Sequence, residues 1–205
     1  MSLVKYNNNS ISAVTSTGLA SGSLVLIKTL TASSSGTLSF VHGTDGVVLD
    51  STYPIYKFEF INIHAATDDQ QLNFNMSIDS GSNYNVTKTT TFFRTFHNEA
   101  DATVLEYRAS NDLAQNTGFQ NLTTGSFNAD DSSINGELQI FSPSSTTFVK
   151  HFISTIIDYA NGSSAMNMFI AGYGNTTSAV NAIRFQISSG NIDSGKIKLY
   201  GIKDS

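Results

Sequence analysis

The sequence predicts an all-β protein, a two-sheet antiparallel β-sandwich, jelly-roll-like, of about ten strands. Three observations predict it. Apolar and polar residues alternate with period two in one run after another, the pattern of strands with one side in a core. The runs are short and are bounded by Gly, Asn, Asp, Ser or Pro, the turn formers. Their near-regular spacing along 205 residues is that of a sandwich or jelly roll.

Residues 1–22, "MSLVKYNNNSISAVTSTGLASG", are weakly patterned and rich in small polar residues. They read as an N-terminal arm or a first strand, followed by a single β-sandwich domain over 23–205. Within that domain the strand runs are "SLVLIKTLTA" (23–32), "TLSFV" (37–41), "YKFEFINIHA" (56–65) and "LNFNMSID" (72–79). The last is the clearest, with Leu72, Phe74, Met76 and Ile78 on one side and Asn73, Asn75, Ser77 and Asp79 on the other. In 56–65 the aromatic face Tyr56, Phe58, Phe60 gives way to Ile61 and Ile63, a change of parity that a β-bulge near Phe60 and Ile61 explains.

The runs continue with "TTTFFRTFHN" (89–98), "TVLEYRA" (103–109), "GELQIFS" (136–142), "TFVKHFISTIIDY" (147–159), "MNMFIAGYG" (166–174), "AIRFQISS" (182–189) and "GKIKLYGIK" (195–203). Residues 99–115 are the one stretch where a helix competes, and strand followed by loop is the better reading. The polar stretch 123–136 reads as the longest surface loop. In the closing strand Gly201 permits a bulge or a close backbone approach.

Composition narrows the function. Charged residues are 13% of the chain, against about 25% in ordinary globular proteins, and Ser, Thr, Asn and Gly take their place. A net charge of −5 with eleven scattered Lys and Arg argues against nucleic acid, which needs clustered cations. Without cysteine there is no disulfide framework or thiolate metal site. The first residues lack the order of a secretory signal, and no apolar run approaches the roughly 20 residues of a membrane span. The expectation is no membrane insertion.

No residue is assigned a catalytic, cofactor-binding or metal-binding role, and no cofactor is expected. His42, His64, His97 and His151 lack metal-ligand spacing. Glu59, Glu99, Glu106, Glu137 and Asp158 are carboxylates that a glycosidase would have to pair across a groove. Asp45, Asp68, Asp69, Asp130 and Asp131 lie in oxygen-rich loops without a spaced calcium-ligand set. Tyr53, Tyr84, Tyr107, Tyr159 and Tyr173 lie near strand ends, where a ring can stack on a sugar or cap a core.

Four segments carry a resemblance: "MSLVKYNNNSISAVTS", "STYPIYKFEFINIHAATDDQQLNF", "SSTTFVKHFIS" and "FIAGYGNTTSAVNAIRFQISSGNIDSGKIKLYGI". They resemble a family of uncharacterised virion proteins of tailed phages of marine bacteria, most specifically over the last third of the chain. The resemblance implies a non-enzymatic structural component of the particle, a capsid decoration or tail-fibre protein with a jelly-roll-like fold. It would be assembled in the host cytoplasm and located in the virion, with other virion proteins as partners. A homotrimer is expected, and a host-surface glycan is the alternative partner.

Overall fold

The structure is a computed structural model that describes residues 23–126, 128–160 and 163–204. The expected arm at 1–22 lies outside the described residues. Among the described residues the chain forms twelve strands and no helix: β1 (Leu24–Thr31), β2 (Leu38–Val41), β3 (Ile55–Ala65), β4 (Leu72–Ser77), β5 (Lys88–Asn98), β6 (Thr103–Tyr107), β7 (Gln120–Asn121), β8 (Ile134–Phe141), β9 (Lys150–Ala160), β10 (Ser164–Gly174), β11 (Ala182–Ile187) and β12 (Ile192–Ile202).

Two antiparallel sheets result, ordered β1-β12-β3-β8-β9-β10-β5-β6 and β2-β11-β4-β7. With the hairpins β5–β6 and β9–β10 set aside, the remaining eight strands read 1-12-3-8 in one sheet and 2-11-4-7 in the other. Each strand of the first set then has its chain neighbour at the same place in the second, which is the double Greek-key wiring of a jelly roll. The two hairpins pair with each other through β10 and β5, and with β8 through β9. They add a four-strand extension to one side of the larger sheet.

The core forms where the inward residues of both sheets meet. Phe185 of β11 is its hub: its ring lies 5.2 Å from Phe58 and from Phe60 of β3, and 6.2 Å from Phe40 of β2. Phe74 of β4 packs edge-on against Phe152 of β9 at 5.0 Å, so the smaller sheet reaches the start of the extension. Each such ring contributes about 1.5–3 kcal/mol on burial. The segment after β6 closes the inner side further out: the Arg108 amide donates to Phe92 O at 2.9 Å, and Gln120 and Leu113 meet the Thr90 hydroxyl.

The parity change in β3 is a bulge, as its sequence suggests. Pairing with β8 skips from Phe60 to Ile63, and Asn62 takes a left-handed φ of 50°. On the opposite edge of β3 the register with β12 shifts around Ser194, and Gly195 makes room for it. A Cβ there would stand 2.4 Å from Asn62 O. At Gly201 the close approach is to a ring, because a Cβ would lie 2.3 Å from the ring carbons of Tyr53.

The all-β two-sheet sandwich is as expected; the strand count is refined and one expectation needs correction. β7 is a two-residue strand, too short to show any periodicity, so twelve strands replace about ten. The 123–136 stretch is not simply a surface loop. β8 starts at Ile134, and Thr123, Ser126 and Ser132 are buried because their hydroxyls and backbone bind β4 and the inner side of β9.

Candidate functional site

The residues with acid–base chemistry are dispersed. The His42 ring accepts from Leu49 N at 3.1 Å, and His64 Nε2 lies 3.1 Å from Ala129 O. His97 is exposed beside Asp101, and His151 lies near the Tyr173 ring. Among the described residues no group of three or more His, Asp or Glu could hold a metal ion. The Asp loops hold backbone turns: Asp45 and Asp69 have left-handed φ values near 50°, and Asp68 Oδ1 accepts from Asn128 N. Asp130 and Asp131 are exposed. Asp79, not singled out in the sequence, is the best-bound turn carboxylate. Ser77 and Asn83 donate to it and lower its pKa to about 2.

The carboxylates divide between the two sides of the larger sheet. Glu59 and Glu137 are directly opposite one another on β3 and β8 and both point outward. Lys57 holds Glu137 ionised through a 2.5 Å ion pair, and Tyr200 donates to Glu59 at 3.3 Å. Glu106 is held ionised by Arg94 and Arg108, while Glu99 lies in the turn after β5. Asp158 points inward and is buried; burial pushes its pKa up to about 6. One of its oxygens accepts from Ser126 Oγ at 3.0 Å, and the other has no partner among the described residues. A glycosidase needs a protonated and an ionised carboxyl facing one bond. Here the raised acid and the ionised Glu137 lie on opposite sides of a sheet.

Lys88 is a second buried titratable group. Burial pulls its pKa down to about 7, and Nζ donates to Asn75 Oδ1 and Val86 O. Asn75 in turn donates to Tyr84 O and Thr117 O, tying the segment after β4 to the loop before β7. This network pins chain segments together.

The tyrosines also divide. Tyr53 covers Gly201 and Tyr56, Tyr84 lies under the Arg184 guanidinium at 3.9 Å, and Tyr159 is half-buried on β9. Tyr107 donates to Asp112 and packs edge-on against Phe93 at 5.1 Å. Tyr173 accepts from Gln115 at 3.4 Å, and Gln115 accepts from Asn175 at 2.9 Å.

What stands out instead is a surface. On the outward side of the extension, register aligns Thr155, Phe169, Phe93 and Tyr107 in one row across β9, β10, β5 and β6. The neighbouring row runs Ile157, Asn167, Thr95, Leu105. Opposed side chains on one sheet face touch directly, and aromatic ones reach their diagonal neighbours. Ile153, Ile157, Phe169, Phe93, Tyr107 and Leu105 are all exposed there, Leu105 at 77%. Two shallow depressions meet at Ile157 and Asn167, one bounded by Gly136 and Glu137, the other by Thr95 and Leu105.

Compared with known proteins, the chain matches no family model, no curated protein and no solved structure.

Proposed function

We propose that the chain is a non-enzymatic structural protein of a tailed-phage particle, a self-associating homotrimer attached through other virion proteins to the capsid or tail. The observation that carries this reading is the way the jelly roll is enlarged. Two hairpin insertions widen one sheet into a broad open surface, and among the described residues the raised Asp158 and the ionised Glu137 lie on opposite sides of it. Jelly rolls serve both capsids and lectins, so the fold alone is an analogy. The four resembling segments favour the virion side of it.

Mass spectrometry of purified particles tests the reading, with the chain expected at a fixed copy number. Hundreds of copies mean capsid decoration, and a handful to a few dozen mean tail. Absence from particles overturns the proposal. Removing residues 1–20 is expected to leave a folded domain that no longer enters particles, and normal incorporation would discard the arm's role.

A second reading, a glycan-binding module at a fibre tip, has one observation in its favour. Tyr173, Gln115 and Asn175 form a hydrogen-bonded cluster at one end of β9 and β10 with the His151 ring 6.3 Å from that of Tyr173, offering two rings and two amides. Selective retention on a glycan array supports it; uniform absence of binding removes it.

A further inference from the structure

We infer that the outward side of the β9-β10-β5-β6 extension is the surface through which one copy of this chain binds another. The inference rests on the self-association in the proposed function and names where it occurs.

The first observation is chemical. The outward positions are His151, Ile153, Thr155, Ile157 and Tyr159 on β9, and Ala165, Asn167, Phe169, Ala171 and Tyr173 on β10. On β5 they are Thr89, Thr91, Phe93, Thr95 and His97, and on β6 Thr103, Leu105 and Tyr107. None is Asp, Glu, Lys or Arg. In a chain of net charge −5, two copies can meet here without opposing like charges. A carboxylate enters at the β8 border of this surface, where Glu137 lies opposite Thr155 and is paired with Lys57.

The second observation is that these strands are apolar on both sides. Phe152 and Ile156 point into the core while Ile153 and Ile157 point out; Phe92 points in and Phe93 out; Met168 and Ile170 point in and Phe169 out. An antiparallel strand with one solvated side normally alternates apolar and polar residues, and these strands do not. Here one side is open, and contiguous exposed apolar patches of this kind mark association sites.

Size is the third observation. β9, β10 and β5 are eleven residues each and β6 is five. At about 3.3 Å per residue and about 4.8 Å between strands, the surface covers roughly 600 Å² per copy. A stable interface takes about 800 Å² from each partner, so the extension supplies most of one. Sheets packed face to face sit about 10 Å apart with side chains interdigitating. The depressions beside Ile157 and Asn167 provide recesses for that.

The test compares the full-length chain with Phe169→Asp and Thr155→Lys by sedimentation equilibrium, with thermal unfolding in parallel. Thr155 is exposed, so its replacement keeps the test valid should Phe169→Asp fail to fold. The parent chain is expected to form dimers or trimers, and both variants to associate roughly tenfold more weakly or less, equivalent to about 1.4 kcal/mol or more. Lys198→Glu, on the outward side of the other half of the same sheet, is expected to associate as the parent does. A parent that stays monomeric at every concentration overturns the inference, as do folded variants that associate undiminished. A chain present in particles but monomeric in solution removes this surface and leaves the virion reading standing. One that associates here but is absent from particles does the reverse.

Discussion

The two halves of the larger sheet share one core and differ outside. On β12, β3 and β8 the outward residues include Lys196, Lys198, Lys57, Glu59 and Glu137, cross-paired so that Lys198 faces Glu59 and Lys57 binds Glu137. On β9, β10, β5 and β6 no charge points outward, and six large apolar side chains are exposed. Inward, both halves are built alike, with Phe58 and Phe60 on one and Phe152 and Phe92 on the other, all buried. Folding therefore requires the inner pattern in both halves and explains the outer pattern in neither. The charged half carries paired ions at its surface, whereas the extension carries exposed apolar side chains and is the surface proposed above to bind a second copy.

The largest effect is expected at the seam between the halves. Gly136 of β8 has a φ of 145°, and a Cβ there would lie 2.2 Å from Thr155 O of β9. Gly136→Val adds backbone strain and overpacking, each about 1–3 kcal/mol, so a loss of about 4 kcal/mol is expected. Hydrogen exchange should show β9, β10, β5 and β6 losing protection before β1, β12 and β3. Uniform loss would mean that the extension is not a separable unit.

Next comes the pH dependence of the extension's inner side. Asp158 has its pKa raised from 3.8 to about 6 by burial, so the folded chain holds the proton more tightly than the unfolded one. Its contribution to stability is fully present below pH 3.8 and is lost as pH rises through about 6, a change of about 3 kcal/mol. Asp158→Asn should match the parent at pH 4 and exceed it at pH 7, read from urea unfolding. An equal difference at both pH values would show that the carboxyl's titration is not responsible. Lys88 carries the opposite slope. Burial lowers its pKa from 10.5 to about 7, so its destabilising effect is complete below pH 7 and fades as pH rises towards 10.5.

The smallest effect is expected on the charged half. The Lys57–Glu137 pair is partly exposed, with side chains 20% and 37% accessible. Lys57→Met should cost less than about 1 kcal/mol and leave association untouched. Weakened association would mean that this half also belongs to the proposed interface.

Much of the fold was legible because inward positions follow period two. Leu72, Phe74 and Met76 are buried as their alternation predicts, but Ile78, grouped with them, lies beyond β4 and is exposed. Asn73, Asn75 and Ser77 on the other side are buried too, because loops cover that side. The bulge between Phe60 and Ile63 follows from the parity of β3. Gly201 was readable as a close approach, though not that Tyr53 would fill it. Strand order was not legible, since pairing β10 with β5 joins segments about seventy residues apart, and local pattern says nothing about that. The candidate surface was hidden for the same reason, because it exists only once four separate strands become neighbours. Its signal was nevertheless present in "FFRTF", "NMFIAG" and "FISTII", where apolar residues occupy both parities. The inward placement of Asp158 was obscured likewise, since its strand is apolar on either side.

Hydroxyl-radical footprinting across a concentration series tests the central claim most directly. Oxidation of Phe93, Tyr107 and Phe169 on the extension should fall together as concentration rises. Phe148, exposed in the loop before β9, should oxidise at a constant rate. Unchanged oxidation of all four rings across the series, in a folded chain, would contradict the account.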